Sequence, residues 1–305
     1  MAPLQVAPLL SILEGETIRF ADWSSDGQRL AVSTEDGDVL VWNQAENAIT
    51  RHPVAPGGLA ALRWCPARDE IACCGRGHFA VLLTPYTRCM YGLTSMEIRN
   101  YRRASWSPDG SCLALVDENY INPIVWHRPP LAPVTYEAAD STIRAVAWAP
   151  RDRQLAAVSD RGSLFTWDMG GKRIDEYPTA SPTQNLPGLA VAWSPTGSLI
   201  AYGDKSGMLT VWNTLDKRMI ASRQVSSVSL VGLTFSPLGN ALISSGGHGE
   251  VRVLHPETLS EVALIPGHDT WVGDTQAAVH PSGRLMAIPR PWRRDVSIVA
   301  LEVPT

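Results

Sequence analysis

Side-chain chemistry needs nucleophiles, acid–base groups or metal donors at short, defined separations. The histidines, cysteines and carboxylates are therefore the first residues to place. The seven histidines are His52, His78, His127, His248, His255, His268 and His280. His52, His255 and His280 precede prolines in inferred loops or strand ends, which suits solvated residues better than ligands. The sequence contains no H-E-x-x-H, no G-x-S-x-G nucleophile elbow, no glycine-rich phosphate loop ahead of a helix and no EF-hand loop. Cys65, Cys73, Cys74, Cys89 and Cys112 are odd in number, lie close together in the chain and show no C-x-x-C or His-paired spacing. They read as reduced, mostly buried thiols of an intracellular protein. No catalytic residue, metal site or cofactor is expected from these patterns.

A second group of residues suits recognition rather than reaction. The stretch "EIRNYRRASW" holds Arg99, Tyr101, Arg102 and Arg103, with Arg102 four residues ahead of Trp106. Arg19 and Arg144 stand at the same distance ahead of Trp23 and Trp148. "IPRPWRRD" adds Arg290, Trp292, Arg293 and Arg294, and "GHDTWV" adds Trp271. Arginine, tryptophan and tyrosine are enriched where proteins bind one another. Guanidinium groups also pair with carboxylates and phosphates, so acidic or phosphorylated segments are candidate partners. The same residues can instead pair with nearby acids such as Asp295 or cover a loop, and both readings stand at this point.

Composition narrows the classes. Hydrophobic residues make up 45% and charged residues 18%, ordinary for a folded chain. The 26 lysines and arginines are outnumbered by 30 carboxylates, which argues against a surface built to coat nucleic acid. No run reaches the ~18–20 apolar residues of a membrane-spanning helix. The opening "MAPLQVAPLLSILEGE" has no basic residue before Arg19 and makes a poor secretory signal. A cytoplasmic location is expected.

The elements that must position these groups come from a repeat. An aromatic-plus-turn unit recurs at Trp23, Trp64, Trp106, Trp148, Trp193, Phe235 and Val279, spaced by 41 to 45 residues. A second anchor follows each after 19 or 20 residues, at Trp42, Leu83, Trp126, Trp167, Trp212, Leu254 and Val299. These two series absorb nine of the eleven tryptophans, leaving Trp271 and Trp292. Within a period, "LIAYGDKSGMLTVW" gives two β-rich runs around a tight Asp/Lys/Ser/Gly turn, which is hairpin chemistry. "SPDG" and "SPTG" place proline where a turn wants φ near −65° and close it with glycine. Four strands, a to d, fit one period.

These features resemble the WD-repeat β-propellers: a period of 40–45, four strands per blade, and "VWN" or "TWD" closing strand c. Seven periods imply an all-β, seven-bladed propeller of four-stranded antiparallel blades spanning 1–305 as one domain. The family's buried His, Asp, Ser/Thr and Trp network is present only in pieces, as Ser33, Asp36 and Trp42 or Ser159, Asp160 and Trp167, so apolar packing has to hold the blades. The final period ends at strand c with "VSIVALEVPT". The opening "LLSILEGE" resembles a strand d, "EVALIPGH", and its loop. Residues 8–14 are therefore expected to pair with the last blade and close the ring, hiding edges that would otherwise aggregate.

The resemblance implies that d–a and b–c loops share one rim, the top, where partners dock. Arg19, Tyr101, Arg102, Arg103, Arg144, Trp271, Arg290, Trp292 and Arg293 fall there. The implied function is a non-catalytic protein-interaction scaffold, a subunit, adaptor or sensor of a larger complex. Two alternatives remain open: an enzyme or small-ligand or metal binder using the central channel, and nucleic-acid binding through the arginine rim. The channel-lining strands, such as "LAALRW" and "IRAVAW", carry few acids, with Asp22 and Asp274 the obvious ones on or beside them.

Overall fold

The structure is a computed structural model and describes residues 4–5, 8–75, 79–87, 89–92, 101–117, 121–127, 132–137, 139–151, 153–177 and 186–301. Among the described residues, strands form seven antiparallel units, and each first anchor is the last residue of its inner strand a. The a strands are Ile18–Trp23, Leu59–Trp64, Tyr101–Trp106, Ile143–Trp148, Gly188–Trp193, Leu230–Phe235 and Ala278–Val279. Every second anchor lies on a strand c. The chain is a seven-bladed β-propeller.

The anchors sit where blades meet. Seven apolar clusters fill the seven junctions between neighbouring blades. Each sheet is thus apolar on both faces, which explains strands such as Cys112–Asp117 that are buried throughout. Cys73 and Cys74 lie on opposite faces of one such strand. Burial pushes the Cys74 thiol up to about 12 and the Cys73 thiol well up too. The inner indoles add polar ties: Trp23 Nε1 donates to the Ala278 carbonyl at 3.2 Å, Trp106 to Arg63 at 3.2 Å and Trp193 to Ala147 at 3.1 Å. Each bond reaches the residue just before the preceding blade's anchor. On strand c, Trp42 donates to Asn47 and Trp167 to the Glu137 carbonyl, rather than to Ser33 or Ser159.

The ring closes through the N-terminal segment. Pro8–Ile12 pairs antiparallel with Asp295–Ala300, supplying the outer strand of blade 7, and Ile12 and Leu13 enter the junction with blade 1. The strand stops two residues short of the expected end because Leu13 takes a left-handed φ of 58°. Leu4–Gln5 makes a further pairing that the sequence did not suggest, parallel to Glu261–Ile265 of blade 6. Blade 7 differs on its inner side as well: its strand a is only Ala278–Val279. The preceding residues 267–277 turn irregularly through Gly273, at φ 102°, and enter the channel region.

Candidate functional site

One local device repeated round the ring builds the top of the channel. In blade 1 the a–b register passes from Ile18↔Thr34 to Phe20↔Ser33, leaving Arg19 outside the ladder as a β-bulge. Blades 2 to 6 do the same at Ala60, Arg102, Arg144, Leu189 and Val231. In blades 1, 4, 5 and 6 the first residue of the b–c turn lies sixteen residues after the bulge, and its N–H returns to the strand-a side. Glu35 donates to Thr17 at 2.9 Å, Asp160 to Thr142 at 2.8 Å, Lys205 to Pro187 at 2.9 Å and Gly247 to Ser229 at 3.0 Å. In these four blades the bulge residue and the turn residue therefore face each other at the mouth.

Their chemistry differs round the circle. Arg19 meets Glu35 at 2.6 Å, and Arg144 grips Asp160 through two bonds of 2.5 Å. In blade 5 the facing pair is Leu189 and exposed Lys205, so a cation stands where blades 1 and 4 carry an acid. In blade 6 it is Val231 and Gly247, and the indole of Trp271 lies on that glycine, where an added Cβ would come within 1.8 Å of the ring. Trp271 is still 53% exposed, so one face covers the turn and the other meets solvent. Arg103 reaches across the opening to Asp274 at 3.1 Å.

These groups line two adjoining cavities at the mouth, about 350 Å³ and 270 Å³, which share Arg102, Arg103, Trp271 and Asp274. Deeper in, Arg63 Nη2 donates to Gln276 Oε1 at 2.6 Å, and Gln276 Nε2 donates to the Val231 carbonyl at 2.9 Å. Gln276 lies against Gly232, where a Cβ would be 2.6 Å from its Cγ. Below, a chamber of about 310 Å³ is lined by the residues one before each anchor, among them Asp22, Arg63, Ser105 and Thr234. Burial pushes the Asp22 carboxyl up, partly offset by Arg63 and by the Trp64 N–H it accepts at 2.7 Å. The same burial pushes the Arg63 guanidinium down.

The arginine–aromatic group divides into three. Arg19, Arg102, Arg103, Arg144 and Trp271 converge on the mouth. Arg290, Trp292 and Arg293 form a separate outer group. Arg290 is spent on Asp295, at 2.8 and 2.5 Å, and on Ser11. Trp292 is half-buried, its ring 6.0 Å from that of His268 and resting on Gly249. Arg293 and Arg294 are exposed. Tyr101 departs from the expectation: it is 2% exposed and belongs to the junction of blades 2 and 3, because it opens strand a on the inward side of the bulge. Arg99 and His78 lie outside the described residues.

Sequence reasoning passed over Lys205 and Glu35 and placed Asp160 in the partial buried network rather than beside Arg144, although a constant separation of sixteen from the bulge would have found all three. It also passed over the contact between Cys112 Sγ and His127 Nδ1 at 3.4 Å, which joins neighbouring strands of blade 3. Among the described residues, no three His, Cys, Asp or Glu side chains gather as metal donors. No helix among them is long and apolar enough to cross a membrane.

Comparison with known proteins follows the architecture. A family model described as "WD domain, G-beta repeat" matches residues 8–43, from the closing strand through strand c of blade 1. The chain is 24% identical over 303 residues to the B-type cell cycle switch protein ccs52B of Medicago truncatula, covering 92% of this chain and 58% of that protein. It is 23% identical over 265 residues to the Protein LST8 homolog of Drosophila melanogaster, covering 82% and 83% respectively. Against Meiotic fizzy-related protein 1 of Schizosaccharomyces pombe it is 22% identical, covering 75% of this chain and 55% of the relative. The chain thus spans little more than half the length of the cell-cycle-switch and fizzy-related relatives.

Proposed function

We propose that this chain, a seven-bladed propeller of the WD-repeat kind, is a non-catalytic scaffold that receives partner proteins on its top face, at the channel mouth. Residues 1–305 act as one unit in this reading, working in the cytoplasm as a subunit, adaptor or sensor of a larger assembly. The supporting observation is the mouth itself: a concave opening with an indole 53% exposed beside cationic side chains held on bulges and turns. Exposed aromatic and cationic groups on a rigid base favour protein docking, because little side-chain freedom is lost on binding. Acidic or phosphorylated segments suit the cationic side chains of this rim.

The test is co-purification with the tagged chain, comparing wild type, Arg102→Glu/Trp271→Ala, Trp292→Ala/Arg293→Ala and the opposite-face variant Leu238→Asp. Loss of the co-purifying proteins in the first double variant, with melting unchanged and the opposite-face variant still loaded, supports the reading. Retention of every partner by folded Arg102→Glu/Trp271→Ala overturns the mouth assignment.

A further inference from the structure

Beneath the Arg63–Gln276 bond lies a chamber that the docking reading does not use. The residues one before each anchor form a ring around it, and the ring has two unlike sides. Blades 1 to 3 contribute Asp22, Arg63 and Ser105, whereas blades 4 and 5 contribute Ala147 and Ala192, with Thr234 of blade 6 following. The chamber extends to Pro195 on the a–b turn of blade 5, toward the end of the channel opposite the mouth. Asp22 and Arg63 are half-buried neighbours held by other partners. The carboxyl accepts the Trp64 N–H at 2.7 Å, and the guanidinium donates to Gln276 at 2.6 Å and to the Leu62 carbonyl at 3.3 Å. A carboxylate has more acceptor sites, and a guanidinium more N–H donors, than these contacts use. Ser105 Oγ accepts the Trp148 N–H at 3.4 Å and keeps its own proton to donate.

The charges of Asp22 and Arg63 cancel, so a ligand with one net charge would leave a charge uncompensated in a half-buried space, which opposes binding. A compact ligand carrying both signs satisfies both groups. At about 310 Å³ the chamber is at the lower end of the ~300–1,000 Å³ typical of ligand sites, which suits a molecule far smaller than a nucleotide. We propose that the lower chamber binds a small zwitterion, an α-amino acid with a short apolar side chain. Its ammonium group meets Asp22, and its carboxylate meets the Arg63 guanidinium and the Ser105 hydroxyl through charge-assisted bonds. Its side chain lies on the opposite wall, against Ala147 and Ala192. This site is separate from the docking face, and neither reading depends on the other.

Ligand-observed NMR titration of the full chain with L-alanine, L-valine and L-leucine tests this. At least one should bind with a Kd of about 1 mM or tighter. The matching amine and the matching carboxylic acid, each lacking one of the two charges, should bind at least about tenfold more weakly. Asp22→Asn and Arg63→Met should each weaken the amino acid by a similar factor. Ala147→Leu leaves every polar group in place and fills the apolar side, so it should weaken binding as much, and it keeps the test decisive if Arg63→Met fails to fold. Arg102→Glu/Trp271→Ala, at the mouth, should bind the amino acid as wild type does. No binding by any of the three, equal affinity for the amine or the acid, or binding indifferent to Asp22→Asn or to Ala147→Leu overturns the proposal. So does loss of the amino acid in folded Arg102→Glu/Trp271→Ala, which would place the site at the mouth. Failure of the amino acids to bind leaves the docking face standing, because that face is judged by its co-purifying proteins alone.

Discussion

Arg290 shows how a residue type that suits docking is consumed by structure. Its guanidinium makes two parallel bonds to Asp295 and a third to Ser11, and the two charged side chains are only 12% and 10% exposed. The arginine ends strand b of blade 7, the aspartate begins strand c, and the serine lies on the closing N-terminal strand. One side chain therefore ties three strands of the last blade. Removing one partner of a buried pair strands the other charge, which typically costs 3–5 kcal/mol, whereas replacing both with apolar groups costs much less. Arg290→Met should accordingly lower stability by about 3 kcal/mol in urea titration, and Arg290→Met/Asp295→Leu should recover much of that loss. A single variant as stable as wild type would show the bracket to be superficial. Arg144 and Asp160 also make a bidentate pair, but at 33% and 30% exposure water screens them, so their role at the mouth costs the fold little.

Elements close the ring, and the N-terminal strand is the one that joins the last blade to the first. It contributes four paired ladder residues and the buried Ile12 and Leu13. Deleting residues 1–14 removes two apolar side chains worth about 1.5–3 kcal/mol each and bares the edge of Asp295–Ala300. The truncated chain should melt several degrees lower and gain concentration-dependent light scattering, and an unchanged, monodisperse melt would contradict the closure. This strand was legible in the sequence because its resemblance to "EVALIPGH" and the missing final strand are facts of periodicity. The anchors were legible for the same reason: Trp, Phe, Leu or Val at a fixed position of a repeat has one packing role. The site was less legible, since the bulge that turns Arg19, Arg102 and Arg144 to the mouth also turns Tyr101 inward. A one-residue shift in strand register exchanges the faces, and in "NYRRASW" no residue type marks it, only the offset of four from the anchor. Residues 267–277 escaped the repeat pattern altogether, because a channel-entering loop has no period to betray it.

At the scale of the whole ring, side chains from three blades meet inside the channel. The Arg63–Gln276–Val231 bar runs from blade 2 through blade 7 to blade 6, with the Arg103–Asp274 pair above it. The bar lies between the mouth cavities and the lower chamber. The bar also bears on the charge of the chamber, since Arg63 lies next to the Asp22 carboxyl that burial pushes up. A carboxyl whose folded value lies above its unfolded one supports stability fully below the unfolded value, near 3.9, and loses that support as pH rises through the folded value. Removing the neighbouring cation raises the folded value further, so Arg63→Met must pay its largest penalty where Asp22 would otherwise be ionised. The difference in melting temperature between wild type and Arg63→Met should therefore be larger at pH 7 than at pH 4. Adding Asp22→Asn, which keeps an oxygen to accept the Trp64 N–H, should flatten that difference. A gap of equal size at both pH values would mean that the bar acts through packing alone, with the Asp22 charge playing no part.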